Sequence, residues 1–181
     1  DANNGATAWD ISENGRYVTF DSSATNLVAG DTNAKQDVFI RDTIIGTTEL
    51  VSVDSNESLA NNNSSQPRIS NDGRYVVFAS NATNLVAGDT NAKKDIFLRD
   101  RQLGTTSIVS IDNTGSSSDN VSDEPEISTD GRFVVFHSMA SDLVSGDTKS
   151  QMDVFVRDLA KNETIRVSTS ESGTEGNGQS Y

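Results

Sequence analysis

The chain consists of three tandem copies of one sequence unit, and this repetition constrains its fold more than any other feature. The same ten-residue pattern begins at residues 11, 69 and 127, which are two steps of 58 residues. The three copies read ISENGRYVTF, ISNDGRYVVF and ISTDGRFVVF. A fixed period of this length indicates an architecture in which each copy is one supersecondary unit. We therefore predict a single repeat domain over residues 1–181, with units at about 8–65, 66–123 and 124–181.

Each unit contains four short segments with β-strand character and no amphipathic helical pattern. In the second unit the segments lie at 67–70, 74–80, 95–99 and 106–111. The pairs Asn14-Gly15, Asp72-Gly73 and Asp130-Gly131 join the first two segments, and they favour tight hairpins because both residues tolerate positive φ. Continuous apolar runs, such as residues 75–78, are typical of strands covered on both faces. These features predict an all-β propeller built from four-stranded antiparallel blades, three per chain.

The unit also resembles a known repeat. Its motif, I-S-x-[DN]-G-[KR]-[YF]-[VI]-x-F followed by D-[VI]-[FY]-x-x-D, is similar to the TolB-type β-propeller repeat of bacterial proteins. In the second unit the matching residues are Ile69, Ser70, Asp72, Gly73, Arg74, Tyr75, Phe78, Asp95, Phe97 and Asp100, and both other units have counterparts. The resemblance covers essentially the whole chain. It implies a propeller that commonly has six blades, a role chiefly as a binding scaffold, and an extracytoplasmic location, either periplasmic or secreted.

Three blades are fewer than a closed ring needs, since propellers typically carry about four to eight. Two copies of the chain would supply six, and cyclic dimers are the commonest oligomers, so we predict a homodimer that forms one ring. A longer propeller of which these residues are a piece would explain the count equally well. Residues 1–7 share the repeat phase of residues 175–181. In a dimeric ring these two segments would compete for one place, and we expect one of them to be displaced.

Composition narrows the range of partners. The 14 Lys and Arg residues against 27 Asp and Glu give a net charge of −13, which repels nucleic acid and anionic membranes. The absence of cysteine excludes thiolate metal sites and cysteine nucleophiles. No apolar run approaches the roughly 20 residues of a spanning helix. We therefore expect neither nucleic-acid binding nor membrane insertion, and we expect cations among the partners.

The loop between the second and third strands is the strongest candidate for chemistry. Side-chain oxygens occupy relative positions 1, 3 and 7 of this loop in the first two units, as Asp31, Asn33 and Asp37 and as Asp89, Asn91 and Asp95. Calcium takes about six to eight oxygen ligands, often from short, sharply turning loops, so the spacing predicts calcium sites completed by backbone carbonyls and water. The alternative is that these side chains make turn hydrogen bonds to the backbone.

The third unit departs from this pattern. It keeps Asp147 and Asp153 but has Lys149 in place of the amide. We include both carboxylates among the candidate calcium ligands, although the ammonium of Lys149 could neutralise them without a metal.

Other polar and aromatic residues favour structural interpretations. Arginines recur after each turn (16, 74 and 132), and Arg-Asp pairs recur at the end of each third strand (41–42, 99–100 and 157–158), so we predict that they tie strands and loops together. His137 has no repeated counterpart, and we interpret it as passive. Trp9 replaces Pro67 and Pro125; junction packing is the favoured role, with sugar stacking as the alternative.

The function predicted from these features is a non-enzymatic, TolB-like propeller scaffold or binding module. It would self-assemble, would be stabilised by calcium, and would take protein or glycan ligands. A carbohydrate-binding propeller and a propeller hydrolase with its site in the central channel are the alternatives. The hydrolase would gain support if unrepeated polar groups converged at the channel mouth.

Overall fold

The computed structural model describes residues 2–149, 151–176 and 178–180. Every regular secondary-structure element in these ranges is a β-strand. The twelve strands are β1 (Ala6–Ile11), β2 (Tyr17–Ser22), β3 (Asp37–Asp42), β4 (Thr47–Leu50), β5 (Ser64–Ile69), β6 (Tyr75–Ser80), β7 (Asp95–Asp100), β8 (Thr105–Ile108), β9 (Ser122–Ile127), β10 (Phe133–Ser138), β11 (Asp153–Asp158) and β12 (Glu163–Arg166). No helix in the described part of the chain is long and apolar enough to cross a membrane.

The strands form three antiparallel sheets in which each strand pairs with the next along the chain. The orders are β1-β2-β3-β4, β5-β6-β7-β8 and β9-β10-β11-β12, and we call these sheets blades 1, 2 and 3. The prediction of an all-β chain with three four-stranded blades is confirmed for the described residues. Each sheet begins two residues before the predicted unit, at residues 6, 64 and 122.

The first strand of blade 2 begins at Ser64 rather than at Pro67, because a β-bulge carries the chain past the proline. The pairing with β6 shifts between Ser65 and Arg68, and Gln66 has a φ of 57°. A bulge adds one residue to a strand without ending the ladder. The fourth strand ends at Ile108 rather than at residue 111, where the chain turns back to form an isolated bridge.

The hairpin turns use one positive φ rather than two, which corrects the prediction from the Asn-Gly and Asp-Gly pairs. Gly15, Gly73 and Gly131 have φ values of 71–74°, whereas the residues before them are not in the left-handed region. Asp72 Oδ1 instead accepts hydrogen bonds from Ser70 Oγ (2.6 Å) and from the Arg74 backbone N–H (2.9 Å). This side-chain bonding holds the turn, so the glycine alone needs positive φ.

Blade 2 is covered on both faces, as its continuous apolar runs predict. We call the face of a blade toward the preceding blade its leading face and the opposite face its trailing face. Val76 and Phe78 pack with blade 1 on the leading face, and Val77 and Ala79 pack with blade 3 on the trailing face. All four side chains are fully buried. The described chain therefore builds its core between blades rather than within one.

The outer faces of the three-blade stack repeat the same apolar positions without a cover. Ile11 on the leading face of blade 1 is 56% exposed, whereas its equivalent Ile69 is 6% exposed. Val167 on the trailing face of blade 3 is 45% exposed, whereas Val51 and Val109 are almost fully buried. Within the described chain, these two faces are the ones that lack a neighbouring blade.

The repeated arginines tie strands and loops together, in agreement with their predicted structural role. Arg16 pairs with Asp42 at 2.7 Å, and equivalent pairs form in blades 2 and 3. The hydrogen bond from Arg16 holds the pKa of Asp42 down to about 2. Arg99 in β7 reaches back and donates to the Asp54 carbonyl oxygen at 3.2 Å, in the connection from blade 1.

Tyr17 packs on Gly73 across the boundary between blades 1 and 2, which yields a testable prediction. A Cβ at Gly73 would lie 2.3 Å from the Tyr17 ring, whereas a Cβ at the equivalent Gly15 would meet nothing within 4 Å. Both residues have φ near 70°. Gly15→Ala should destabilise the fold by about 1–2 kcal/mol through its left-handed backbone. Gly73→Ala should lose about 1–3 kcal/mol more through overpacking. Urea unfolding measures both, and equal losses would contradict the contact.

Candidate metal centres

Each predicted metal loop lies where a blade meets the chain segment that leads to the next blade. The Asn33 side chain donates to the Ala60 carbonyl oxygen at 3.1 Å, and Asn91 donates to the Ser118 carbonyl oxygen at 2.7 Å. Lys149 makes the equivalent bond to Gly176 at 2.8 Å. We call these loops and the adjoining segments centres 1, 2 and 3, and they lie at successive blade junctions.

The first residue of each third strand supplies one buried carboxylate. Asp37 is fully buried, and its Oδ1 accepts a hydrogen bond from Ser52 Oγ at 2.7 Å. Its Oδ2 has no hydrogen-bond partner. Ser110 and Ser168 make the same bond to Asp95 and Asp153, at 2.6 and 2.5 Å. The repeated serine therefore orients one carboxylate oxygen in every centre.

The first aspartate of each loop supplies a second buried carboxylate. Asp31 and Asp89 are 6% and 7% exposed. Asp31 Oδ1 and both carboxylate oxygens of Asp89 have no hydrogen-bond partner. Burial raises the pKa of Asp31 and of Asp37. Burial, reinforced by the charge of Asp95, raises the pKa of Asp89 to about 6.

Centres 1 and 2 contain no counter-charge among the described residues. No arginine, lysine or histidine there forms an ion pair with Asp31, Asp37, Asp89 or Asp95. Burying an ionised carboxylate without a partner is strongly unfavourable. Each centre thus brings together two carboxylates whose negative charges are not balanced by the protein.

Turn hydrogen bonds explain the asparagine of each loop but not its first aspartate. Asn33 Oδ1 accepts the Lys35 backbone N–H at 2.9 Å, and Asn91 Oδ1 accepts that of Lys93 at 2.6 Å. These are the turn hydrogen bonds of the alternative interpretation, and they account for the asparagines. They leave the unpartnered oxygens of Asp31 and Asp89 unexplained.

Centre 3 contains a counter-charge, but it comes from a residue that the sequence reasoning missed. Arg166 Nη1 lies 3.2 Å from Asp147 Oδ1, 4.0 Å from Asp153 Oδ2 and 3.3 Å from Glu175 Oε1. Lys149 bonds to the Gly176 carbonyl oxygen instead of neutralising these groups, which corrects that expectation. A break in the repeat could have revealed Arg166, because the equivalent positions hold Leu50 and Ile108.

A second polar cluster lines an open cavity of about 390 Å³ that is formed by the first strands of the three blades and by β10. Its polar and aromatic residues are Trp9, Gln66, Arg68, Glu124, Glu126 and His137, and none of them is repeated at the equivalent positions of all three units. Unrepeated polar groups therefore do converge in this cavity. We call this cavity the inner groove.

Contacts inside the inner groove pair its charged groups with one another. The Arg68 guanidinium lies over the Trp9 ring at 5.1 Å, and its Nε donates to Glu126 Oε1 at 2.7 Å. His137 Nδ1 lies 3.1 Å from Glu124 Oε2. The sequence reasoning found no carboxylate partner for His137, since Glu124 lies 13 residues away on the neighbouring strand. Trp9 also donates to the Asp21 carboxylate on β2 of its own blade, whereas its contact with Arg68 crosses to blade 2.

Comparisons with known proteins support the fold. No protein-family model matches the chain, and no curated protein matches it. The structure assigned as TolB from Agrobacterium tumefaciens has a TM-score of 0.56 at 16% identity, over 90% of this chain and 48% of that one. TolB from Acinetobacter baumannii has a TM-score of 0.54 at 13% identity, over 94% of this chain and 34% of that one.

A protease propeller gives a similar match. The β-propeller domain of the Trilobed protease from Pyrococcus furiosus has a TM-score of 0.54 at 13% identity, over 90% of this chain and 41% of that one. The chain spans less than half the length of each of these three structures. At these identities the likeness shows the fold alone: three blades of a β-propeller.

Proposed function

We propose that the chain is a non-enzymatic β-propeller module that is stabilised by calcium and assembles into a ring with a second copy. The observation that carries the calcium proposal is the pair of buried carboxylates without an ion-pair partner in centre 1 and again in centre 2. Asp31, Asp37 and Asp89 also have carboxylate oxygens without a hydrogen-bond partner, whereas both oxygens of Asp95 accept hydrogen bonds. The role is that of a scaffold for protein or glycan ligands. Support for a scaffold comes from the repeated polar residues, because their contacts join strands within a blade and join neighbouring blades.

Calcium fits the donor set of centres 1 and 2 better than other common ions. The available ligands are carboxylate and carbonyl oxygens, which suit hard cations, and the two carboxylates match a divalent charge. Magnesium requires nearly ideal octahedral geometry and retains several waters, whereas calcium accepts irregular oxygen cages. The carbonyl oxygens of Ala60 and Ser118, which accept hydrogen bonds from the asparagine amides, are oxygens at the junction that could complete such a cage.

The small number of carboxylates also bears on location. Affinity in calcium sites rises with ligand charge, and extracellular modules bind calcium with dissociation constants of about 10⁻⁴–10⁻³ M. Sites with two carboxylates each suit a compartment in which free calcium is plentiful. We therefore propose an extracytoplasmic location, periplasmic or secreted, in a bacterium.

Isothermal titration calorimetry with calcium tests the metal proposal. We expect two sites per chain with dissociation constants of about 10⁻⁴–10⁻³ M, and a rise in melting temperature with calcium because the ion binds the folded state. Asp89→Asn should remove one site. Asp112→Asn is the matched control, because Asp112 accepts turn hydrogen bonds from Thr114 and Ser116, and it should keep both sites. No binding heat and a melting temperature unmoved by chelator would reject the proposal.

Ring closure rests on the two uncovered faces. The trailing face of blade 3 and the leading face of blade 1 carry the positions that already pack together at both junctions inside the chain. A second copy would therefore meet each face with the surface that it is built to accept. A two-fold axis would form both closing junctions at once, as in a cyclic dimer.

Both terminal segments make the contacts of a blade junction. Asn3 bonds to Thr25 and Asn26, as Asn61 bonds to Thr83 and Asn84. Ser180 N–H donates to the Met152 carbonyl oxygen at 2.8 Å, as Ser64 donates to Gln36. Asp1, Asn177 and Tyr181 lie outside the described residues. In a dimer the two segments would meet at one place, and the displacement of one stays a prediction.

Light scattering tests the dimer. We expect a dimer for the unaltered chain and a monomer for Val167→Glu, because the variant places a charge in the closing face. Leu103→Glu is the control, since Leu103 is equally apolar and 69% exposed but lies in a turn away from that face. Deleting residues 1–5, which precede β1, should tighten the dimer by removing one competing segment. A monomer at every concentration would overturn this closure and favour further blades of a longer polypeptide.

The inner groove favours ligand binding as a second candidate function, because its residues break the repeat. A carbohydrate could stack on Trp9 once Arg68 moves, and the paired carboxylates could accept its hydroxyl groups. The hydrolase alternative has less support. Among the described contacts, His137 bonds to Glu124 and to no serine or threonine hydroxyl.

A glycan array distinguishes ligand binding from a purely structural groove. If the groove binds carbohydrate, the unaltered chain is retained on a subset of glycans. Trp9→Ala should abolish this retention, and Trp9→Phe should preserve part of it because the aromatic face remains. An array without any retention, or retention unchanged by Trp9→Ala, would assign the groove to packing between blades.

A further inference from the structure

Centre 3 carries a guanidinium where centres 1 and 2 carry no cation. We infer that Arg166 is a built-in cation that replaces the ion at the third junction, so that each chain binds two calcium ions rather than three. This inference rests on the calcium sites of the proposed function. Its evidence is the difference between centre 3 and the two equivalent centres of the same chain.

The three positions compared are structurally equivalent. Arg166 is the last residue of β12 and pairs in register with Phe155. Leu50 pairs in the same way with Phe39, and Ile108 pairs with Phe97. The Arg166 side chain is only 7% exposed, so its charge is directed into the protein rather than into solvent. Centres 1 and 2 therefore have an apolar residue at this position, and centre 3 has an arginine.

The surroundings of Arg166 contain the ligands of a metal site. Oxygens of Asp147, Asp153 and Glu175 lie within 4.8 Å of one another, which is a spacing that could hold a metal ion. Glu175 replaces Leu59 and Ser117 of the other units, so centre 3 has one carboxylate more than they have. The guanidinium lies 3.2–4.0 Å from oxygens of all three residues.

The position of the guanidinium among the carboxylate oxygens, rather than the net charge, explains why a divalent ion is excluded. Three carboxylates and one arginine leave the same formal charge, −2, as the two carboxylates of centre 1 or centre 2. An arginine side chain remains charged at all accessible pH values, so it cannot lose a proton to make room for the charge of a metal ion. A calcium ion among the same oxygens would lie within a few ångströms of this fixed positive charge in a buried site, where screening is weak. Removal of the arginine would leave three buried carboxylates without that cation.

The replacement of an ion by Arg166 in centre 3 has a consequence for the proposed dimeric ring. Centres 1 and 2 join blades 1, 2 and 3 inside the chain, and centre 3 joins blade 3 to Glu175 and Gly176, which follow that blade. Calcium would therefore stabilise the two internal junctions. The junction that leads to a neighbouring copy would keep its cation, the guanidinium of Arg166, when calcium is removed.

Calcium titration of four chains, each comprising residues 1–181, tests the inference. The unaltered chain should bind two ions, Arg166→Ile should bind three, and Arg166→Lys should bind two because it keeps the charge. Ile108→Arg copies the blade 3 residue into blade 2 and should bind one. If Ile108→Arg fails to fold, as judged by circular dichroism, Leu50→Arg makes the same change in blade 1. Two ions bound to Arg166→Ile, or three to the unaltered chain, would overturn the inference.

Unfolding in the presence of chelator separates the failure of this inference from the failure of the proposed function. Without calcium, Arg166→Ile should have a lower melting temperature than the unaltered chain, and Arg166→Lys should lie closer to it. Equal melting temperatures for Arg166→Ile and the unaltered chain would show that the guanidinium does not balance the carboxylates. Absence of calcium binding to the unaltered chain would instead reject the calcium sites, whatever the effect of Arg166.

Discussion

The packing of one blade face against the next is the interaction on which the rest of the structure depends. A single four-stranded sheet of this composition cannot bury its apolar residues by itself, since strands such as β6 are apolar on both faces. Only stacking buries both sets, and the stacked phenylalanine pairs are contributed once by every blade, as in Phe78 and Phe97. Each junction therefore has the same apolar centre, and the chain has an uncovered face wherever a neighbouring blade is missing.

Polar groups at the edges of the junctions convert this non-directional packing into a defined geometry. The arginine pairs hold the turns at the ends of the strands. The loops of the metal centres hold the segments that lead to the next blade, through Asn33 and its equivalents. The carboxylates of these loops are buried at the junctions and are therefore removed from water. The same burial that stabilises the junction thus leaves carboxylate charges that the proposed calcium ions would balance.

Repetition also separates structural residues from residues with individual roles. A group that recurs in every blade, such as the serine that bonds to Asp37, serves the architecture. Departures from the repeat mark the places where one blade differs in chemistry. Arg166 is one such departure, and the inner groove around Trp9 and His137 collects several others. Arg166 and the inner groove both lie where neighbouring units meet. A residue that breaks the repeat at such a place therefore changes the contacts of two units.

The sequence by itself determined the strand count, the order of strands within a blade and the positions of the candidate metal loops, because these are local and occur three times. It also indicated which carboxylates belong together, since Asp31 and Asp37 lie within one loop. The tertiary structure decided the start of the first strand, where a bulge overrides the boundary suggested by Pro67. It alone showed that Arg166 and Glu175 join Asp147, and that His137 meets Glu124. Those contacts join strands and junctions that are separate in sequence, so spacing along the chain does not reveal them.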